Sequence, residues 1–251
     1  MIVSPLYITI GTVIGFFSGI FGIGGSLITT PILKTIFSLP DLIALATPLP
    51  VVIPTAIAGT FGYMKKGVIN KKVGFYSIIG GLPATIIGSY LTKFIAGKWL
   101  MILTGFFLLF VAVRMLYGKR LQNSELSKRI SIPTFSMITG FVAGIFSGLL
   151  AVGGGIILIP AYVLFLGLSM QEAASTSLLC IAFFGIPGTV VHSYLGHIDW
   201  NIAISLSIGV IPASYLGSKV GLAAKSKQLQ LIFCIMLITF GVYFILKQLF
   251  V

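Results

Sequence analysis

The sequence predicts an all-α polytopic membrane protein made of two inverted-topology repeats, each a glycine-broken helix or re-entrant hairpin plus full spans, with eight to ten membrane segments in total. Three observations carry this expectation. The composition is strongly apolar, apolar stretches of bilayer length recur along the whole chain, and the chain repeats itself without gaps at an offset of 129 residues (144 − 15).

Hydrophobic residues make up 57% of the 251 positions and charged residues 8%, with a mean hydropathy of +1.14. That leaves too little polar surface to cover a soluble globule of this size. The net charge of +12 would point to nucleic acid in another chain. Here the lysines stand singly or in pairs beside span ends, with no extended basic or aromatic surface, so topology accounts for them and no nucleic-acid partner is expected. No charged region precedes the first apolar stretch, so no cleavable signal peptide is expected.

Taken in order, the expected spans are about 3–22, 43–64, 73–93, 99–117, 133–151, 172–194, 201–222 and 229–250, each near the roughly 20 residues that cross a bilayer. Between them lie two shorter apolar pieces, 26–38 and 155–168. Thirteen or so residues give about 20 Å of helix, short of a ~30 Å hydrocarbon core, so these read as half-helices or strongly tilted spans. Lipid cannot satisfy free backbone groups, so the glycine breaks before them must be buried in protein or face a watery cavity. The third apolar segment, the span 43–64, carries Thr47-Pro48 just inside its start, which suits an N-cap followed by the first helical position. Its counterpart carries Ser175, Thr176 and Ser177, while Pro50 and Pro54 have no counterparts and imply extra kinking in the first half. Cys180 and Cys234 fall inside spans, where a buried thiol is the plain reading and no disulfide, metal or cofactor site is expected.

The repeat divides the chain into 1–122 and 123–251, two halves of one integrated membrane domain. Lys65, Lys66, Lys71 and Lys72 crowd one loop of the first half. The matching loop, 194–201, has no Lys or Arg and carries Asp199. The positive-inside rule then puts 65–72 in the cytoplasm, 94–98 outside, the connector 118–132 with Lys119, Arg120, Lys128 and Arg129 inside, 195–200 outside, and Lys225 and Lys227 inside. Lys93 and Lys98 are the mild dissent. Matching loops on opposite sides require an odd number of crossings per half, which is an inverted repeat about an axis in the membrane plane, with both termini outside the cytoplasmic membrane.

Inverted-repeat carriers commonly bind substrate near the midplane, where broken helices from the two halves meet. Gly22, Gly24 and Gly25 before Ser26, matched by Gly153, Gly154 and Gly155, let the backbone turn and present amides at a half-helix start, where about half a positive charge attracts an anion. Gly15, Ser18, Gly19 and Gly22 also read as a face for close helix packing. Thr47 and Pro48, with Thr176 and Ser177, are second candidates for the same cavity, set against a purely capping role. Asp41, Glu125, Glu172 and Asp199 all fall at span ends or in loops, and Arg114 near a span end can snorkel, so no carboxylate stands at the midplane as a proton relay. His192, opposite Tyr63 in the repeat, is the candidate for proton coupling, set against a packing or anchoring role.

The segments GFFSGIFGIGGSLITTP at 15–31 and GIFSGLLAVGGGIILIP at 144–160, each followed by a Thr-Ser-Leu-like motif at Thr47-Pro48-Leu49 and Thr176-Ser177-Leu178, resemble the duplicated signature of the sulfite exporter TauE/SafE family over nearly the whole chain. The resemblance implies a prokaryotic cytoplasmic-membrane permease for sulfur-containing anions such as sulfite, sulfoacetate or other organosulfonates. Two positions depart from the pattern: Ser26 replaces the third glycine of the first motif and Pro48 its Ser, which bears on the symmetry of the site.

The resulting expectation is a secondary exporter of small sulfur-containing anions, working by alternating access at a midplane site, with the lipid bilayer as its other partner. The alternative is an importer or proton-coupled carrier of another small organic anion. An intramembrane enzyme would need clustered His, Asp, Glu or Cys at catalytic spacing, and the sequence has no such cluster, so no catalytic residues are assigned.

Overall fold

The computed structural model describes residues 4–64, 66–117 and 131–250, the last three as backbone. Lys65, Glu125 and the basic residues expected at 119, 120, 128 and 129 therefore lie outside the described residues. Those described form eleven α-helices and one 3-10 turn, with no strand.

In the first half these are α1 (Pro5–Phe21), α2 (Ser26–Thr35), α3 (Asp41–Ala46), α4 (Pro48–Met64), α5 (Lys71–Leu91) and α6 (Gly97–Tyr117). The second half has α7 (Ile132–Leu150), α8 (Gly155–Phe165), α9 (Met170–Tyr194), α10 (Trp200–Ala223) and α11 (Ser226–Phe250). Local chemistry sets several starts. Asn70 caps α5 by accepting from Val73 N–H at 3.1 Å, Ser169 and Glu172 form a reciprocal capping box on α9, and Asp199 caps α10 through Asn201 and Ile202 N–H.

Seven helical stretches are long and apolar enough to cross a membrane: Asp41–Met64, Lys71–Phe94, Gly97–Tyr117, Ile132–Leu150, Met170–Tyr194, Trp200–Ala223 and Ser226–Lys247. Large apolar side chains cover the outside, Phe110 and Val190 among them, and Phe94, Trp99, Tyr194 and Trp200 cluster at the helix ends of one side. An apolar flank with aromatic ends suits a bilayer and its interface. The chain is a multi-pass, all-helical membrane protein.

One expectation needs correcting. Thr47 does not cap α4 as an extended residue; its φ of −54° and ψ of −32° continue the helix from α3 into α4, so 41–64 is one kinked span. Pro48 removes the amide that an N-cap would have left free, and the Thr47 hydroxyl instead accepts from the backbone N–H of Asp199 at 3.0 Å. The counterpart α9 runs unbroken.

The short helices return the chain to where it began. Tyr7 at the start of α1 packs against Phe37 just beyond α2, with ring centroids 4.7 Å apart and the planes tilted by 39°. Lys34 at the end of α2 is ion-paired with Asp41 at the start of α3 at 2.6 Å. The hairpin α1–α2 thus adds no net crossing to its half, and α7–α8 repeats the arrangement, with Phe135 against Phe165 at 5.4 Å.

Packing exchanges helices between the halves. Gly11, Gly15 and Gly19 of α1 rest on the backbone at Leu206, Val210 and Ser214 of α10, and Gly140, Gly144 and Gly148 of α7 rest on Ser77, Gly81 and Thr85 of α5. The ascending order makes both pairs parallel. A β-carbon at any of these glycines would strike backbone, so the small residues set the close approach. Counterpart helices cross the other way: Gly59 of α4 lies on Leu178 of α9 while Gly188 of α9 lies on Leu49 of α4. Likewise Gly105 faces Ile245 and Gly241 faces Leu109. Both counterpart pairs are therefore antiparallel.

Candidate functional site

The two breaks meet at the α4/α9 crossing. A β-carbon added at Gly24 would lie against Ile181 of α9 and Val52 of α4, and one at Gly153 would meet the same two side chains. The breaks also touch one another, since a β-carbon at Gly155 would lie 2.9 Å from the carbonyl oxygen of Gly22. Close approach, rather than an unusual dihedral, is what demands glycine at 155.

Each break is built by left-handed backbone. Gly24 and Gly25 have φ of +78° and +91°, and Gly153 and Gly154 have +74° and +78°. Side chains rarely adopt this region. Gly22 also turns left-handed at +77°, ending α1 with its N–H on Ser18 O at 2.8 Å. It therefore serves both the break and the close packing, since a β-carbon there would strike the backbone of Ala174 in α9. Its counterpart Ala151 takes the same turn at +53°.

No side chain caps Gly25 or Gly154 at the head of α2 or α8. In the first turn of α2, Ile28 and Thr29 N–H both go to Gly25 O at 3.0 Å; in α8, Ile157 and Leu158 N–H go to Gly154 O at 3.0 and 3.1 Å. The preceding amides, of Ser26 and Leu27 and of Gly155 and Ile156, have no protein partner among the described residues. Two helix starts thus offer unpaired donors and positive dipole ends at the centre of the molecule.

The candidate residues divide. Gly24, Gly25, Ser26, Gly153, Gly154 and Gly155 assemble at the crossing, and Ser177 joins them by donating its hydroxyl to Gly22 O at 3.0 Å. Thr47 and Thr176 stand apart as symmetric pins: Thr47 Oγ1 accepts from Asp199 N–H and Thr176 Oγ1 from Asn70 N–H, each at 3.0 Å. Each ties the loop before one half's fourth span to the other half. Pro48 is buried behind Thr47 at the head of α4.

His192 is 2% exposed. Its Nε2 donates to Gly148 O at 3.0 Å and its Nδ1 lies 3.2 Å from Nδ1 of His197. A carbonyl only accepts, so Nε2 carries the proton, Nδ1 accepts, and His197 donates. Tyr63, at the matching position, donates to Ile20 O at 3.0 Å. Both residues fasten the end of a hairpin helix. The partner His197 was missed in sequence because it lies beyond the end of α9, where helical spacing gives no signal.

Of the hydroxyls around the first break, the sequence singled out Ser26 as a site candidate and Ser18 as a packing residue, and missed Thr30. Ser18, Ser26 and Thr30 are at most 1% exposed, and none has a partner for its side-chain oxygen. Among the described residues no Lys, Arg, Asp or Glu is buried, and no three His, Cys, Asp or Glu lie close enough to hold a metal.

Comparison with known proteins gives a consistent picture. The family described as Sulfite exporter TauE/SafE matches residues 7–244. The probable membrane transporter protein YunE of Bacillus subtilis is 25% identical over 98% of this chain and 98% of its own. A probable membrane transporter protein of Xylella fastidiosa is 28% identical over 99% of this chain and 98% of its own, and one of Methanocaldococcus jannaschii is 29% identical over 98% and 97%. No solved structure matches the chain.

Proposed function

Because this chain belongs to the sulfite exporter TauE/SafE family, whose members are transporters and not enzymes, we propose that it is a secondary carrier of small sulfur-containing anions such as sulfite or organosulfonates. The observation that carries the reading is the meeting of two uncapped, glycine-broken helix starts at the α4/α9 crossing. Such starts attract an anion without a buried cation.

The mechanism we propose is alternating access. The repeats 1–122 and 123–251 form one domain, and the moving bodies mix their helices: α1 and α4 travel with α10, and α7 and α9 with α5. The α4/α9 crossing is the seam between them, plugged by Val52 and Ile181. Rocking about it would expose the breaks first to one side and then to the other. The end bearing Lys66, Lys71, Lys72, Lys225 and Lys227 faces the cytoplasm in this proposal, which places both termini outside the inner membrane.

Export is the favoured direction. A membrane negative inside drives an anion outward with about 2.3 kcal/mol per charge per 100 mV, so an exporter works without a coupling ion. A second reading, proton-coupled movement of another organic anion, is favoured by the His192–His197 contact at 3.2 Å. Counterflow in proteoliposomes with labelled sulfite, sulfate, thiosulfate, taurine and sulfoacetate tests the first reading, which fails if only a cation or neutral solute moves. A pH dependence of transport that His192→Gln abolishes would favour the second.

A further inference from the structure

The two breaks share a backbone path but not a chemistry. Around the first stand Ser18, Ser26 and Thr30, all buried with unpartnered hydroxyls. A β-carbon at Gly25 would lie 3.7 Å from Ser18 Oγ, so that hydroxyl points at the helix start. Ser26 is the first residue of α2, and Thr30 lies one turn on along the same face. At the second break the matching residues are Ser147, Gly155 and Ile159, of which Ser147 alone carries a hydroxyl, also unpartnered.

The neighbours differ in the same direction. Phe184 packs its ring over the second break, 3.2 Å from where a β-carbon of Gly154 would stand. Thr55 occupies the matching place in the first half and turns its hydroxyl back to Val51 O at 2.6 Å. Beside the second break the wall is apolar, formed by Phe107, Phe146, Leu150, Val152 and Ile156 with Thr104. A buried hydroxyl without a partner is costly, and three around one helix start imply a ligand that satisfies them.

We infer that the substrate's oxyanion group is held at the first break alone, as a monoanion, by the hydroxyls of Ser18 and Ser26 and the free amides that open α2, with Thr30 lining the same face. This rests on the anion-carrier reading. The charge state follows from what surrounds the site. A helix start supplies about half a positive charge, hydroxyls add none, and no Lys or Arg is buried among the described residues. One negative charge can be matched there; a second would be buried without compensation. A sulfonate or hydrogen sulfite fits, and sulfate does not.

The test uses full-length protein in proteoliposomes and counterflow of labelled methanesulfonate, with sulfate as competitor. Ser18→Ala and Ser26→Ala should each raise the half-saturating concentration about tenfold, as loss of a hydrogen bond to a charged group predicts. Ser147→Ala should change it less than twofold, and sulfate should compete at least tenfold more weakly than unlabelled methanesulfonate. Size exclusion and thermal melting check folding, and Ser26→Gly, which copies Gly155, serves if the alanine variant does not assemble. The inference is overturned if Ser147→Ala weakens binding as much as Ser26→Ala, if both first-break variants behave as wild type, or if sulfate competes equally. If the wild-type protein moves neither methanesulfonate nor sulfite, the anion-carrier reading itself falls.

Discussion

Tyr63 and His192 meet the same need with different chemistry, each donating from the third span of its half to a carbonyl where a hairpin helix ends. Loss of such a bond should be felt as stability. Tyr63→Phe is expected to lower stability by about 1 kcal/mol and His192→Leu by about 1–3 kcal/mol, because each leaves a buried carbonyl unpaired; thermal melting in detergent measures both. His197 adds a pH term. Burial holds its pKa below the ordinary histidine value, so the folded protein binds fewer protons than the unfolded chain as pH falls through that value. Stability is therefore lost on acidification, and His197→Asn should reduce the slope of the melting profile as pH falls through the ordinary histidine value of about 6.5. The Tyr63/His192 correspondence was legible in the repeat register, whereas the partners were not. A hydrogen bond such as Ser177 to Gly22, 155 residues apart, leaves no local trace in sequence.

At the scale of elements, hydropathy and glycine placement revealed most of what matters. The spans, the two short helices and the breaks before them follow from apolar run length and from the helix-breaking cost of consecutive glycines. The role of Thr47 was misjudged because Thr47-Pro48 carries the local pattern of a helix start, and only a partner 152 residues away reveals its use. Glycines of identical type also serve unlike ends. Gly19 presses on the backbone of Ser214, while Gly67 turns with φ of +64° in open space. Gly19→Val should therefore destabilise by about 1–3 kcal/mol through forced separation of α1 and α10. Gly67→Ala should cost about 1–2 kcal/mol from backbone strain alone. A melting experiment in which Gly19→Val costs less than about 1 kcal/mol would contradict this division.

For the whole molecule, the inverted arrangement proposed above makes a sidedness prediction. Gly67 and Gly196 are counterparts in open loops with nothing nearby, and the native Cys180 and Cys234 are buried. With a membrane-impermeant maleimide on intact cells, Gly196→Cys should label and Gly67→Cys should label only after the membrane is opened; identical behaviour would refute the opposed orientation. Joining Val52→Cys to Ile181→Cys with a short thiol cross-linker should stop transport, with recovery after cleavage of a reducible linker, if the α4/α9 seam must open.

The exchange of helices between halves also constrains how the chain is made. The surface on which α1 rests belongs to α10, so the first hairpin emerges long before Leu206, Val210 and Ser214 exist to receive it. Through most of synthesis its glycine face has no partner, and α5 likewise waits for α7. Assembly is thus completed only after α10 has been made, and neither half made alone has the surfaces to finish its own packing.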